Sequence, residues 1–516
     1  MDAELMNQEV LCLFDIRQIQ SFLFRVNNND AVQGADAIVK HVLTDALNWA
    51  VERIDPPLTA DQYDLNCEIM EGRIPWFLDD HIQIQIIDSV AGNAMVLFRT
   101  GALCQKVIHK VSRYLLEKCY CLDVATAAVR KTESLADDLT AIYGKMDIIK
   151  TDYPSSHPLM SLPVTQVEKN TGEPAVEMLP ESGAVSKMSL IKSGASRGTS
   201  HFTDIVPCIG PGGKMYRAIM HLDGNNMGII IGKLLQRAET YEDSIHMRRQ
   251  MDYNIDNGFA SLITRTMEWV RKNCFDSPVS EEEFSRYIYI VGQGGDDLNI
   301  IASPKLIIPF VEHFIEILPE FYIWKDDTVK TQMTVCAGIA FVGVDTPYLV
   351  GHRIAEECCD IAKQTAKYEE NLIDGMAGNW IDFDFVLNDN QQSLEWKRDH
   401  DEVTAEGIRL TVRPYSFDDQ QKDSPRYYHI FRDRVGKLEG LNLSKNMMDF
   451  LDDSYHMGRI EYEGLISMLT KEGYPLMESL GEPLVRMDRN HYAAWYDMLL
   501  LRHFIGKIHH STEGVE

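Results

Sequence analysis

"YIYIVGQGGDDLNIIAS", Tyr287 to Ser303, sets two glycines and two aspartates between two β-branched and aromatic runs. The flanking runs predict strands, and Gly294-Gly295 predicts the tight turn that joins them. A turn needs glycine and at most one Asx residue. Asp296 and Asp297 are neighbours that repel each other, so the tip of this hairpin asks for a cation. A GGDD tetrapeptide alone is only a turn, and the surrounding sequence must supply the rest.

Upstream, "KMYRAIMHLDGNNMGIIIGKLL" (Lys214–Leu235) predicts a strand ending at Asp223 and then a helix. A long helical segment follows from Asp243 to about Cys274. After the hairpin come a helix from Pro304, the strand "TQMTVCAGIAFV", the helix "GHRIAEECCDIAKQTAKYEENL" and the strand "WIDFDFVL". This order, βαββαβ with a helical insertion, predicts a ferredoxin-like sheet whose first and middle strands lie side by side. The N-terminal part gives the same order: "EVLCLFDIRQIQSFLFRV", "HIQIQIIDSVAGNAMVLF", "QKVIHKVSRYLLEK" and "CLDVATAAVR". Asp15 to Asn93 spans nearly the same length as Asp223 to Asp296, which suggests a tandem of one fold.

The fold class read from the sequence is therefore α+β, with two tandem ferredoxin-like domains and antiparallel sheets. The expected division is 1–145, an irregular linker or insert at 146–214, 215–390, and a mainly helical C-terminal domain at 391–516. The chain has 516 residues, 45% hydrophobic and 25% charged, which suits several folded domains. A net charge of -28 disfavours free-standing, non-specific nucleic-acid binding. The ten cysteines form no CxxC pair, so reduced thiols and a cytoplasmic location are expected. "MDAELMNQEVLCLF" lacks the pattern of a signal peptide, and "IIPFVEHFIEILPEFYIW" carries too many charges for a membrane span. His400-Asp401 and His509-His510 read as surface residues rather than ligands.

The expected topology brings Asp223 beside Asp296 and Asp297 at one edge of the second sheet. Oxygen-only ligands favour two Mg²⁺ or Mn²⁺ ions. Such a pair activates an attacking ribose 3′-hydroxyl and steadies a departing pyrophosphate. Gly294 and Gly295 would let phosphates approach the backbone. Lys363 and Lys367, one turn apart on one helix face, could both reach a triphosphate, although lysines on a surface helix are usually solvated.

The segments "LDGNNMG", "GGDD", "CAGIAFV" and "AEECCDIAKQTAK" resemble the palm domain of the large, polymerase-like subunit of type III CRISPR effector complexes, a palm related to that of GGDEF nucleotide cyclases. "FDIRQIQSFLF" resembles the opening of that subunit's first palm, and "LTVRPYSF" (Leu410–Phe417) resembles segments after the second. The resemblance implies a second palm that turns NTP, by family habit ATP, into cyclic oligoadenylates that activate a downstream effector in prokaryotic antiviral defence. It implies a degenerate first palm, matched here by "VAGNAM", which is expected to set Asn93 and Ala94 where the second palm has Asp296 and Asp297.

Some positions depart from the family. Asn225 stands where a second acidic residue is frequent, which would alter nucleotide placement or one metal site. "LPVTQVEKNTGEPA" lacks the cysteines of a zinc knuckle, and the chain is expected to open directly on the first palm, without the HD nuclease segment that many members carry. A stand-alone nucleotide cyclase, alone or as a homodimer, is the favoured reading. A subunit of an RNA-guided complex, a non-catalytic nucleotide sensor and a templated polymerase remain as alternatives.

Overall fold

The computed structural model describes residues 3–17, 19–25, 29–68, 72–90, 92–152, 162, 164–169, 171–180, 183–195, 205–373, 375–386, 393–487 and 490–509. His510 lies outside them. The first unit runs β1 (Val10–Arg17), α1 (Asn29–Val51), β2 (Tyr63–Asp64), β3 (Ile84–Val90), β4 (Asn93–Phe98), α2 (Gly101–Lys118), β5 (Asp123–Arg130) and α3 (Leu135–Asp152). Its sheet has the order β2-β3-β4-β1-β5, antiparallel except for the short β2–β3 pairing. Next come the hairpin β6 (Ala175–Leu179) and β7 (Gly183–Ser186), then α4 (Lys187–Ala195), which packs on α1. Much of the stretch expected to be irregular is thus regular. Helix α4 buries Met188, Ser189 and Lys192, and two polar residues on an inner face hide its periodicity from the sequence.

The second unit runs β8 (Cys208–Ile209), β9 (Met215–Gly224), α5 (Met227–Leu235), α6 (Tyr241–Asn273), β10 (Ile288–Gly294), β11 (Asp297–Ala302), α7 (Pro304–Ile317), β12 (Val335–Gly343), α8 (Tyr348–Ala366) and β13 (Trp380–Val386). Its core order, β10-β11-β9-β12, repeats the β3-β4-β1-β5 order of the first unit. This is the ferredoxin-like arrangement twice over. Strand β13 extends the second sheet in parallel with β12.

The C-terminal part holds α9 (Leu394–His400), β14 (Ile408–Arg409), β15 (Tyr415–Ser416), α10 (Tyr428–Gly440), α11 (Lys445–Met457), α12 (Arg459–Lys471), β16 (Leu484–Met487), β17 (Asn490–Ala493) and α13 (Tyr496–Leu501). Strand β15 completes the second sheet beside β13, and β14-β17-β16 form a small sheet of their own. No helix among the described residues is long and apolar enough to cross a membrane.

The central strands explain how the two halves hold together. Leu11 and Leu13 of β1 enter one hydrophobic core, while Val10, Cys12 and Phe14 enter another. Strand β9 divides likewise: Met220 and Leu222 join the first core and Ile219 the second. Strands buried on both faces read as nearly continuous apolar runs, as these do. Helix α6, whose first turn is capped by the Thr240 side chain, lies across β3 of the first sheet. There Arg249, only 3% exposed, donates to the carbonyls of Ile87 (2.9 Å), Ile86 (2.7 Å) and Asn66 (3.0 Å). A buried guanidinium is tolerated because its donors find acceptors.

The strand registers correct the expected match between the two hairpins. Asp15 pairs with Asn93, and the β9–β11 ladder carried one step past Leu222–Leu298 sets Asp223 opposite Asp297. Asn93 therefore stands where the second hairpin has Asp297, and Gly92 where it has Asp296. The sequence match was one residue out because nothing in "VAGNAM" marks which residues form the turn. An ion pair is duplicated as well: Lys150 of α3 meets Asp15 at 2.5 Å, as Lys363 of α8 meets Asp223.

Helix α8 lies so close over β12 that a Cβ on Gly338 would overlap the backbone of Ala355 and Cys359. Backbone atoms cannot swing aside as a side-chain end can. We therefore expect Gly338→Ala to destabilise the protein by about 1–3 kcal/mol through overpacking. Gly464→Ala, on an open face of α12, should be neutral or stabilising by up to about 1 kcal/mol. Denaturant unfolding of the two variants checks the contrast.

Candidate functional site

The site grows from the ends of two neighbouring strands. Gly294 pairs with Asp297, leaving Gly295 and Asp296 as a two-residue turn in which Gly295 has a φ of 58°. That left-handed conformation suits glycine at the first turn position. The Gly295 backbone N–H donates to Asp256 of α6, which ties the turn to the long helix. Asp296 comes opposite Gly224, and a Cβ at Gly224 would strike its carboxylate. The glycine after Asp223 thus makes room for Asp296.

Helix α8 supplies the counter-charge. Lys363 donates to Asp223 Oδ2 in a partly buried ion pair. Burial works against the ammonium, but Asp223 holds the Lys363 pKa above its ordinary value. Asp296 has no cation of its own among the described residues. Burial and the adjacent Asp223 carboxylate push its pKa up to about 6, with Lys363 only partly compensating.

Asp297 faces a different group, which the sequence reading missed. His221, two residues before Asp223 on the same face of β9, stands 3.2 Å from Asp297 Oδ1. Its Nδ1 also lies 3.0 Å from Asn299 Oδ1, and His352 Nε2 of α8 lies 2.7 Å from that same oxygen. Burial opposes charge on His221, yet Asp297 raises its pKa to about 9. Burial and the neighbouring His221 lower His352 to about 3. One imidazolium and one neutral imidazole therefore share the amide of Asn299. Glu356, one turn along α8 from His352, also faces His221, and burial raises its pKa. The only sequence signal for this network was alternation: His221 and Asn299 interrupt apolar strands at the period of the buried face.

The other expected residues divide. Gly294 and Gly295 form the turn as read. Lys367, just past the end of α8, is exposed and makes no ion pair among the described residues, whereas Lys363 reaches the carboxylates. Asn225 is 1% exposed and turns away from the site, its amide donating to Gly378 O (2.8 Å) and Thr334 Oγ1 (3.2 Å). Asn225 anchors the start of β12 instead of facing a nucleotide. Nor do the three carboxylates close around one point: no group of three or more His, Cys, Asp or Glu side chains among the described residues is posed to hold a metal. Asp297 turns to His221, which leaves Asp223 and Asp296 as the adjacent pair. Their hard oxygen donors, and the uncompensated charge on Asp296, fit a divalent cation such as Mg²⁺ or Mn²⁺.

Residues 216–371 match the family model of Cas10/Cmr2, second palm domain. They span every element of this site. Among solved structures, the Csm1-Csm4 cassette in complex with cA3 aligns over 97% of this chain and 70% of its own, at 12% identity and a TM-score of 0.50. Csm1 of T. onnurineus aligns over the same shares at 14% identity and a TM-score of 0.46. No curated protein matches. Residues 216–371 thus resemble a Cas10/Cmr2 second palm domain, and the first half of the chain repeats the topology.

The repulsion between Asp223 and Asp296 has a measurable consequence. A carboxylate whose pKa is raised by folding destabilises the fold wherever it is ionised, fully above its folded pKa and not at all below its unfolded one. Asp296→Asn should therefore unfold at a higher temperature than the parent protein above pH 6 in metal-free buffer. That advantage should vanish towards pH 4. Adding Mn²⁺ at pH 8 should raise the parent's unfolding midpoint and leave the variant's unchanged. Thermal scans across pH with and without Mn²⁺ check both points.

Proposed function

We propose that this Cas10/Cmr2-type second palm, drawn as residues 215–390, is the catalytic unit of a metal-dependent nucleotidyltransferase. Its substrate is NTP, with ATP inferred from the family, and its product is a cyclic oligonucleotide signal in antiviral defence. The observation that carries this reading is the pairing of Asp223 with Asp296 at the end of neighbouring strands, under-compensated by Lys363. A structural ion pair would need one carboxylate per cation; this site holds two carboxylates against one ammonium. The cassette with the same fold was solved with cA3, which supports a cyclic oligoadenylate as the product class.

In this reading Asp223 and Asp296 hold the metal ions, and Asp297, oriented by His221, borders them. Bound there, divalent ions would activate a ribose 3′-hydroxyl and neutralise the departing pyrophosphate. Lys363 supplies the cation that a triphosphate oxygen meets beside Asp223, and Lys367 lies further along the same edge. The Gly295 N–H is already given to Asp256, so what Gly294 and Gly295 offer a phosphate is clearance, since no side chain projects from them. In the first half Asp15 keeps its lysine, but Gly92 and Asn93 put no carboxylate at the two positions that match Asp296 and Asp297. That half serves as a wall of the nucleotide cleft.

One observation favours a second reading, a non-catalytic nucleotide-binding or scaffold subunit of an RNA-guided complex. Two of the three carboxylates already have cationic partners, Lys363 and His221. The two readings separate when purified protein is incubated with each of the four NTPs and Mn²⁺ and the products are resolved by chromatography and mass spectrometry. The catalytic reading expects pyrophosphate and cyclic products, lost by more than about 100-fold in Asp223→Ala and in Asp296→Ala/Asp297→Ala. Asn93→Ala should leave turnover within about twofold. Bound nucleotide without pyrophosphate would establish the scaffold reading instead.

A further inference from the structure

A cavity of about 850 Å³ opens on the side of α8 away from Asp223. That volume lies within the range of small-molecule sites, roughly 300–1,000 Å³. One wall is the second half of α8 with the turn after it; the others come from α9, the chain from Arg409 to Arg426, and strands β16 and β17. The cavity thus exists only because the C-terminal part folds back against the second sheet. None of the carboxylates or glycines of the GGDD hairpin lines it.

The charges around it are uneven. Arg398 grips Asp382 with both Nη atoms (2.7 and 2.8 Å), and its buried Nε has no acceptor among the described residues. Arg413, fully buried, is neutralised by Asp384, Glu402 and Asp497, each at 3.3 Å. Arg409 pairs with Asp399 at 2.9 Å. Arg426 differs: its Nε donates to Val412 O at 3.1 Å, which fixes the side chain, and no carboxylate pairs with it among the described residues. A half-buried guanidinium held by its Nε and lacking a counter-ion is a poised anion anchor.

The rest of the lining suits a flat, hydrogen-bonding ligand. Tyr368, 55% exposed, lines the cavity and Gln364 and Asn490 contribute amides, while the Asn371 amide donates to Thr365 O (2.8 Å) and accepts from Gln421 Nε2 (3.2 Å). Aromatic faces stack nucleobases, and amides read base edges and sugar hydroxyls. Asp360 and Glu370 at the rim would accept ribose hydroxyls but repel a polyphosphate. One unpaired arginine matches one phosphate group.

We propose that this cavity is a binding site for a nucleoside monophosphate, with the phosphate on Arg426 and the base on Tyr368. The site goes beyond the activity assigned to the GGDD hairpin and is independent of it. It shares only helix α8, which carries Lys363 on one face and Gln364 on the other.

Calorimetric titration of the full-length protein in EDTA tests it, using the four nucleoside monophosphates, adenosine and inorganic phosphate. At least one monophosphate should bind with a stoichiometry of one. Arg426→Met should weaken that binding about tenfold or more without changing adenosine affinity. Tyr368→Ala, at an exposed position that does not endanger folding, should weaken monophosphate and adenosine alike by about tenfold. Asp296→Asn should leave every affinity unchanged, and this separates the cavity from the metal site. The proposal fails if no monophosphate binds at millimolar concentration, if Arg426→Met binds as the parent does, or if Asp296→Asn abolishes binding.

Discussion

Two carboxylates set at the ends of adjacent strands and half removed from water repel each other, and the rest of the second unit is arranged so that they stay there. Asp223 is fixed because β9 is buried on both faces, between cores that the two sheets share. Asp296 is fixed because Gly295 makes the turn and Gly224 leaves space for its carboxylate. Lys363 is brought into range because Gly338 lets α8 lie directly on β12. Remove any of these and the pair can relax apart. The fold therefore stores an unfavourable interaction at one edge, as sites built for a charged ligand do.

The same helix explains how a single packing contact serves two surfaces. On one side α8 presents His352, Glu356 and Lys363 to the strand ends; on the other, Asp360, Gln364 and Thr365 line the cavity shared with the C-terminal part. At Gly338 the strand meets the backbone of α8, while at Gly351 the helix meets the Ile219 and Val342 side chains.

How much of this was legible in the sequence depends on which residues carried periodic signals. Asp223 closing an apolar run and GGDD between two strands were readable because strand ends and glycine turns have local chemistry. The repeated strand order was readable for the same reason. The hairpin register in the first half was not, since "VAGNAM" offers two positions for the turn and only pairing with β1 decides between them. His221, Asn299 and His352 were hidden because each sits at a buried position, and Glu356 at a half-buried one, of an element read for its apolar residues. Their function depends on meeting across two strands and a helix. Asn225 was misplaced for a related reason: its number puts it near Asp223, but it lies past the strand end and its amide turns back to Gly378. The cavity behind α8 could not be seen at all, because its walls come from four separate segments spread between Glu357 and Tyr492.

The central proposal is that Asp223 and Asp296 would hold divalent ions where the Lys363 ammonium meets Asp223. Anomalous diffraction from crystals of the protein soaked in Mn²⁺ tests it most directly. The account predicts a manganese peak within coordination distance of both carboxylates, with the Lys363 ammonium moved off Asp223. A saturating soak that leaves the Lys363–Asp223 pair intact, or places manganese only elsewhere, would contradict it.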